Sequence, residues 1–265
     1  MKVWIDSEEF TAEKHQLFDC RNVMDNLAAS IKRFNESHME GAVFVPGYPL
    51  LYSKDKPEEG RHPLPDLTRF YTFVTHHAAG KTAVCYDESA AFMAARFFFL
   101  CELVGIPCLI IRQGYEALAL PEAVSHLEAA GYVAAVLALT PVHPARIHTE
   151  LLASREEVRQ ARTSRAQLVD AREEKRFLGE TEPIVVHPGR IPGAVNFPYK
   201  NVFASHGAEK LQATVGESPA IVYCGSGMSA TPLFAALKSV GHPVKLYPGS
   251  YSEWIFHHPE DIERG

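Results

Sequence analysis

Among the side chains able to act as a nucleophile, Cys224 has the most informative surroundings. It opens the run Cys224-Gly225-Ser226-Gly227-Met228-Ser229-Ala230. Before it lies the short apolar run Ala220 to Tyr223, which reads as a buried parallel strand. After it, Ala230 to Val240 reads as a helix that ends at Gly241, since glycine is the usual residue just past a helix C-terminus. The two glycines let the backbone curl tightly, through positive φ where needed. A loop of this kind can turn successive N–H groups inward as a cradle for an anion. The helix behind it adds the positive potential of its N-terminal end. Gly225, Gly227, Met228, Ser229 and Ala230 are therefore the candidate binding positions. A cysteine at the mouth of such a cradle is favoured as thiolate, its nucleophilic form. The same cradle suits an anionic product carried on sulfur, such as a persulfide. A cysteine at a buried strand end is commonly inert, and the Gly-Ser-Gly turn is what separates Cys224 from that reading.

Two other anion loops do not fit. A phosphate-binding Walker loop needs a lysine after its glycines, and none follows Gly225-Ser226-Gly227 within the loop. A cysteine phosphatase would need an arginine where Ala230 stands. The remaining four of the five cysteines are Cys20, Cys85, Cys101 and Cys108. No C-x-x-C pair occurs, so neither a zinc site nor a thioredoxin-type motif is signalled. Cys85, Cys101 and Cys108 lie inside apolar segments and read as core thiols. Cys20, before Arg21 at a strand end, is ambiguous.

The chain that must position this loop repeats itself. Phe18-Asp19-Cys20-Arg21 is echoed by Val169-Asp170-Ala171-Arg172, and His38 to Val43 by Arg190 to Val195. Further on, Ala83-Val84-Cys85-Tyr86-Asp87 is echoed by Ala220-Ile221-Val222-Tyr223-Cys224, and Val104-Gly105-Ile106-Pro107 by Val240-Gly241-His242-Pro243. The matches keep their order, with one longer loop in the first copy. Asp87 thus occupies the place of Cys224. Each copy alternates strand and helix: Ala83 to Tyr86, Ala90 to Val104 and Cys108 to Ile111, then Ala220 to Tyr223, Ala230 to Val240 and Val244 to Tyr247. That alternation predicts an α/β fold of two tandem domains, each a parallel sheet flanked by helices. The expected division is 1–140, a linker at 141–150 beginning near Pro141 and Pro144, and 151–265.

Composition narrows the function classes. The 265 residues are 46% hydrophobic and 22% charged, the mixture of a globular protein, with a formal net charge of −6. An acidic chain is a poor partner for nucleic acid, whose non-specific binding rests on neutralised phosphates. The apolar runs fall far short of the ~20 residues that span a bilayer. The N-terminus turns acidic at once and does not read as a signal peptide. The expectation is a cytoplasmic protein with free thiols and neither membrane nor nucleic-acid partners.

These residues resemble the tandem-domain rhodaneses, the thiosulfate and 3-mercaptopyruvate sulfurtransferases. The run Tyr223 to Ala230 is similar to their active loop, in the form found in the mercaptopyruvate branch. Leu246-Tyr247-Pro248-Gly249-Ser250-Tyr251-Ser252-Glu253-Trp254, Arg190-Ile191-Pro192-Gly193-Ala194-Val195-Asn196-Phe197-Pro198 and Arg61-His62-Pro63-Leu64-Pro65 resemble three further signatures. The resemblance implies that only the second domain is catalytic. It implies sulfur transfer from a small anionic donor, through a Cys224 persulfide, to a thiol, a thioredoxin-like protein or cyanide. No metal or organic cofactor is implied. The neutral loop favours 3-mercaptopyruvate as donor, with Arg176 matching an arginine that binds its carboxylate; Arg172 reads instead as half of a structural pair with Asp170. Where the family has a second substrate arginine this chain has Val185, and Arg190 is the candidate replacement. Ser226 and His62 match two members of a Ser–His–Asp relay, whose aspartate is missing from Val45-Pro46-Gly47-Tyr48. Three alternatives stay open: thiosulfate as donor, a persulfide carrier serving a dedicated protein, and a non-catalytic tandem module that acts through protein contacts.

Overall fold

Parallel strands bury both faces and so read as short, near-continuous apolar runs, and the sheets are built from such runs. The computed structural model describes residues 1–54, 56–90 and 92–265 and divides into two compact units. One comprises Lys2–Ser53 and Leu64–His148; the other comprises Met1, Lys54–Pro63 and Thr149–Gly265. Among the described residues, no helix is long and apolar enough to cross a membrane.

The N-terminal unit holds a five-stranded parallel sheet in the order Trp4–Ile5, Cys108–Ile111, Thr82–Tyr86, His15–Asp19, Val43–Phe44. The central strand Thr82–Tyr86 is buried after its first residue. The helix Met93–Val104 is buried at every position except Glu102. It starts later than the expected Ala90, which sits at φ 55; Ala91 lies outside the described residues. It stops as expected, at Gly105 in the left-handed region, whose N–H closes on the carbonyls of Cys101 and Glu102. Residues expected in the linker belong to this unit: Val142 N–H donates to Thr72 Oγ1 at 2.8 Å and His148 N–H to the Leu103 carbonyl at 2.8 Å.

The C-terminal unit holds a four-stranded parallel sheet, Val244–Leu246, Ala220–Tyr223, Gln167–Asp170, Val195–Asn196. Leu168, Ile221, Tyr223, Tyr247, Tyr251 and Trp254 fill one core against it. Lys54–Pro63 belongs here although the repeat places it in the first copy. Its backbone and side chains are tied to the helix Ser250–His257 and to the turn before it: His257 Nε2 donates to the Glu58 carbonyl at 3.0 Å, and Arg61 N–H to Ser252 Oγ at 3.1 Å.

The repeat is confirmed at side-chain level. Arg21 grips Asp19 through Nε at 3.1 Å and Nη2 at 2.6 Å, and Arg172 grips Asp170 through Nε at 3.0 Å and Nη2 at 2.6 Å. Both arginines also donate to a backbone carbonyl, of Ser37 and Gly189. Each lies over a tyrosine, Tyr115 at 3.5 Å and Tyr251 at 4.2 Å. The Asp170–Arg172 pair is almost fully buried, with side chains 0% and 1% exposed. Removing one partner of such a pair strands the other charge. Arg172→Ala is therefore expected to lower stability by about 3–5 kcal/mol. Urea unfolding checks this against Arg159→Ala, which breaks a solvent-exposed pair with Glu156 and should leave the unfolding midpoint almost unchanged.

Candidate functional site

The Cys224–Ala230 loop leaves the C-terminal end of Ala220–Tyr223, the end at which open parallel sheets place their ligand crevices. Two contacts seat Cys224: its N–H donates to Ser250 Oγ at 3.1 Å, and its carbonyl accepts from Tyr251 N–H at 3.0 Å. Ser250 is held in turn by donating to the Tyr247 carbonyl at 2.9 Å. Gly227 sits at φ +78, and a Cβ there would come within 2.1 Å of the Pro248 carbonyl oxygen. Backbone conformation and space both demand glycine at this turn. The Met228 carbonyl accepts from Thr231 N–H and Thr231 Oγ1, which leads the chain into the helix Thr231–Ser239.

The loop is short of internal hydrogen bonds. Among the described residues, the backbone N–H groups of Gly225, Ser226, Met228, Ser229 and Ala230 have no partner. All five residues are buried except half-buried Ser229. More than nine in ten buried backbone donors in proteins are paired, and a run of open donors beside a thiol is an arrangement that can receive an acceptor. Ser226 Oγ lies 2.7 Å from Nδ1 of His62, and both residues are buried. The geometry thus joins the two relay members that the sequence singled out.

The cations divide. Arg176 is held by Glu182, with Nε at 3.0 Å and Nη2 at 2.8 and 2.9 Å from its oxygens. Glu182, its side chain 1% exposed, also accepts from Arg172 Nη1 at 3.2 Å. So fixed, Arg176 reaches the loop: a Cβ on Gly225 would stand 3.3 Å from its Nη2 and 3.7 Å from its Nη1. The same point is 3.3 Å from Nη2 of Arg61. Arg190, expected as the second substrate cation, is used elsewhere. It donates through Nη1 to the Gly265 carbonyl at 2.8 Å, pairs through Nη2 with Glu263, and stacks on Phe177 at 4.4 Å. Its backbone forms a bridge with Glu263, so this arginine anchors the C-terminal segment. Sequence reasoning missed Arg61 and Glu182. Arg61 had a signal, standing beside His62 in a recognised motif.

The N-terminal unit carries a counterpart. Asp87 follows Tyr86 as Cys224 follows Tyr223, and Ala90, in the place of Gly227, also has positive φ, 55. The Asp87 carboxyl accepts from the N–H groups of Glu88 at 2.8 Å, Met93 at 2.9 Å and Ala94 at 3.3 Å. Burial pushes its pKa well above the usual carboxylate range, and the three N–H donors pull against that shift. The other cysteines are buried in this unit. Burial pushes the thiols of Cys20, Cys101 and Cys108 up, and the Cys85 thiol donates to the Ala94 and Leu109 carbonyls.

Comparison with known proteins places this geometry among sulfur-transfer proteins. The rhodanese-like domain model matches residues 154–257. A Mycobacterium tuberculosis protein named as a thiosulfate sulfurtransferase, SseB, is 32% identical over 248 residues, covering 87% of this chain and 84% of that one. A Pseudomonas aeruginosa protein named as a 3-mercaptopyruvate sulfurtransferase is 30% identical over 265 residues, covering 90% and 88%. The crystal structure of Escherichia coli SseA, described as a 3-mercaptopyruvate sulfurtransferase, superposes with a TM-score of 0.72 at 25% identity, covering 95% of this chain and 99% of that one.

Gly227 offers a direct test of the loop geometry. Gly241 has a similar φ, +73, but nothing within 4 Å of a built Cβ. Gly241→Ala is expected to cost only the left-handed penalty, roughly 1–2 kcal/mol. Gly227→Ala adds the collision with the Pro248 carbonyl, so its melting temperature should fall clearly further; equal losses would contradict the geometry.

Proposed function

The chain belongs to the rhodanese family of sulfurtransferases, and from that premise we propose that it moves sulfur from 3-mercaptopyruvate through a persulfide on Cys224. The observation that carries the reading is a buried cysteine opening a loop in which the amides of Gly225, Ser226, Met228, Ser229 and Ala230 have no partner among the described residues, with the Arg176 guanidinium beside it. In the first step the Cys224 thiolate attacks the donor sulfur. The new S–S bond forms as the carbon–sulfur bond breaks, and the electron pair passes to carbon as the enolate of pyruvate. The proton released from the donor thiol ends on that carbon, giving pyruvate and an enzyme persulfide anion. Ser226 and His62, 2.7 Å apart, form a path along which that proton is held and passed on. The open N–H groups of the loop carry the charge of the outer sulfur, as dipoles aimed at a developing anion do. In the second step an acceptor thiolate, from a small thiol or a thioredoxin-like protein, attacks the outer sulfur and releases the Cys224 thiolate. Cyanide can take the sulfur in the same way. Covalent storage between two half-reactions gives ping-pong kinetics.

Arg176 binds the donor carboxylate, as guanidinium forks do through parallel hydrogen bonds. Thiosulfate is the second reading, favoured by the name of the Mycobacterium tuberculosis relative. Steady-state rates with both donors separate the two: a higher kcat/KM with thiosulfate would overturn the mercaptopyruvate assignment. Cys224→Ser is expected to abolish turnover. After exposure to donor alone, the wild-type peptide that contains Cys224 should gain the mass of one sulfur atom; activity surviving in Cys224→Ser would defeat the mechanism. Ser226→Ala and His62→Gln should each lower kcat by roughly 10²–10⁴-fold, the usual weight of a proton-transfer group, with the pH–rate profile changed in shape. An unchanged profile in both would remove the relay from the mechanism.

A further inference from the structure

We propose that Ser252 is a positioning residue: it latches the segment that carries His62 onto the Cys224 loop and so sets the contact between His62 and Ser226. The proposal rests on the sulfur-transfer reading of Cys224 and deepens it.

Ser252 lies in the first turn of the helix Ser250–His257 and is buried. N–H groups in a first turn have no partner within their own helix, and here they are spent on the loop. Tyr251 donates to the Cys224 carbonyl and Ser252 to the Gly225 carbonyl, each at 3.0 Å. The Ser252 hydroxyl is bonded in two directions. It donates to the Gly249 carbonyl at 3.0 Å, which commits its one proton, and its lone pairs are left to accept the Arg61 N–H at 3.1 Å. Ser252 and Arg61 are 191 residues apart in the chain. Gly60 makes the approach possible: at φ +101, a Cβ there would lie 2.7 Å from the Gly249 carbonyl oxygen and 2.9 Å from Ser252 Oγ.

These bonds close a ring. Ser252 holds Gly225, whose next residue is Ser226, and holds Arg61, whose next residue is His62. Ser226 Oγ and His62 Nδ1 then meet at 2.7 Å. Each member of the proton-passing pair is therefore one residue away from a bond to Ser252. Proton transfer needs heavy atoms within about 2.6–3.2 Å, and a displacement of about 1 Å can cost roughly 10²-fold in rate. The segment and the loop come from distant parts of the sequence, so their register must be set by a group that touches both. A second tie, from exposed His257 to the Glu58 carbonyl, is farther from His62 in the chain and leaves the register of His62 to the buried one.

The test removes one arm of the latch. Ser252→Ala keeps the N–H that holds Gly225 and deletes the hydroxyl. The Gly249 carbonyl still accepts the Glu253 N–H, so the change falls on the Arg61 N–H. Two readouts are taken: hydrogen exchange of the Arg61 amide, by NMR, and kcat and KM for 3-mercaptopyruvate in a double-mutant cycle with His62→Gln. Exchange at Arg61 is expected to speed up about tenfold, the weight of one hydrogen bond, while the amides of the strand Ala220–Tyr223 exchange as in wild type, the mark of a local opening. On the wild-type background kcat should fall about tenfold with KM much less affected, and on the His62→Gln background Ser252→Ala should lower kcat no further. Gly60→Ala, which pushes the segment off the turn while leaving Ser252 intact, should reproduce both changes. The proposal fails if the Arg61 amide exchanges within about twofold of wild type, less than one such bond. It fails equally if Ser252→Ala lowers kcat as far without His62 as with it, since a purely structural serine would act alike on both backgrounds. The exchange measurement needs no turnover. A wild-type protein that never acquires sulfur on Cys224 would therefore defeat the sulfur-transfer reading while exchange still judged the latch.

Discussion

The structure of the site depends on one buried carboxylate shared by two arginines. Glu182 accepts from Arg172, which is already gripped by Asp170 at the end of the central strand, and from Arg176, which faces the Cys224 loop. Charges buried in a low dielectric must be compensated or they unfold the protein around them. Here two carboxylates and two guanidiniums cancel. The chain of contacts runs from the sheet outward, so the position of Arg176 is inherited from the end of the strand Gln167–Asp170. Without Glu182, Arg176 would be an ordinary flexible side chain, and ordering it on each binding event would cost side-chain entropy.

The two units read together explain why the loop is shaped as it is. In the N-terminal unit the same turn, with the same positive φ at its third residue, closes on the Asp87 carboxyl, whose oxygens collect three backbone N–H groups. That unit carries its own acceptor in the place where the other has a thiol. In the second copy Gly225 and Ala230, at the places of Glu88 and Met93, keep their N–H groups open, while Thr231, at the place of Ala94, donates to the Met228 carbonyl. One backbone design therefore occurs twice, once closed by a carboxyl side chain and once with part of its donors open. The conserved part of the design is the direction of backbone dipoles, and the residue at the strand end decides their use.

Local signals in the sequence carried far, and their limits are physical. The strand, the glycine turn and the helix around Cys224 are contiguous, so periodicity and turn chemistry are enough to place them. The Asp170–Arg172 pair is legible for the same reason, being two residues apart at a strand end. Lys54–Pro63 is not legible in this way. Its place in the C-terminal unit is fixed by contacts with Ser226, Ser252 and His257 across long sequence separations, and no local period encodes such a contact. Arg190 failed in the opposite sense. It was chosen for its position in a motif, but the Glu263 carboxylate and the carbonyls of Phe177 and Gly265 had a prior claim on its donors. A motif fixes where the backbone goes; what a long side chain reaches is decided by what else is folded around it.

An acidic protein that serves an anionic substrate must make its positive potential locally. The net charge of −6 repels such a donor at long range, but salt screens that field beyond about 10 Å, so the near field governs capture. Two kinds of near field meet at Gly225. Guanidiniums supply full charges at the rim, suited to a carboxylate that stays solvated until it docks. Backbone N–H dipoles supply partial charges within the loop, and their field dies away over a shorter distance than that of an ion. The proposed transfer would draw on that division, because a persulfide would have to be held firmly yet yield to an acceptor that arrives as a second anion. Lysines or arginines inside the loop would bind donor and persulfide alike and slow the second step. In the proposed transfer the neutral run Gly225-Ser226-Gly227 would stabilise charge on an outer sulfur while adding no net charge of its own, and the full charges would stay at the rim, where a carboxylate can use them.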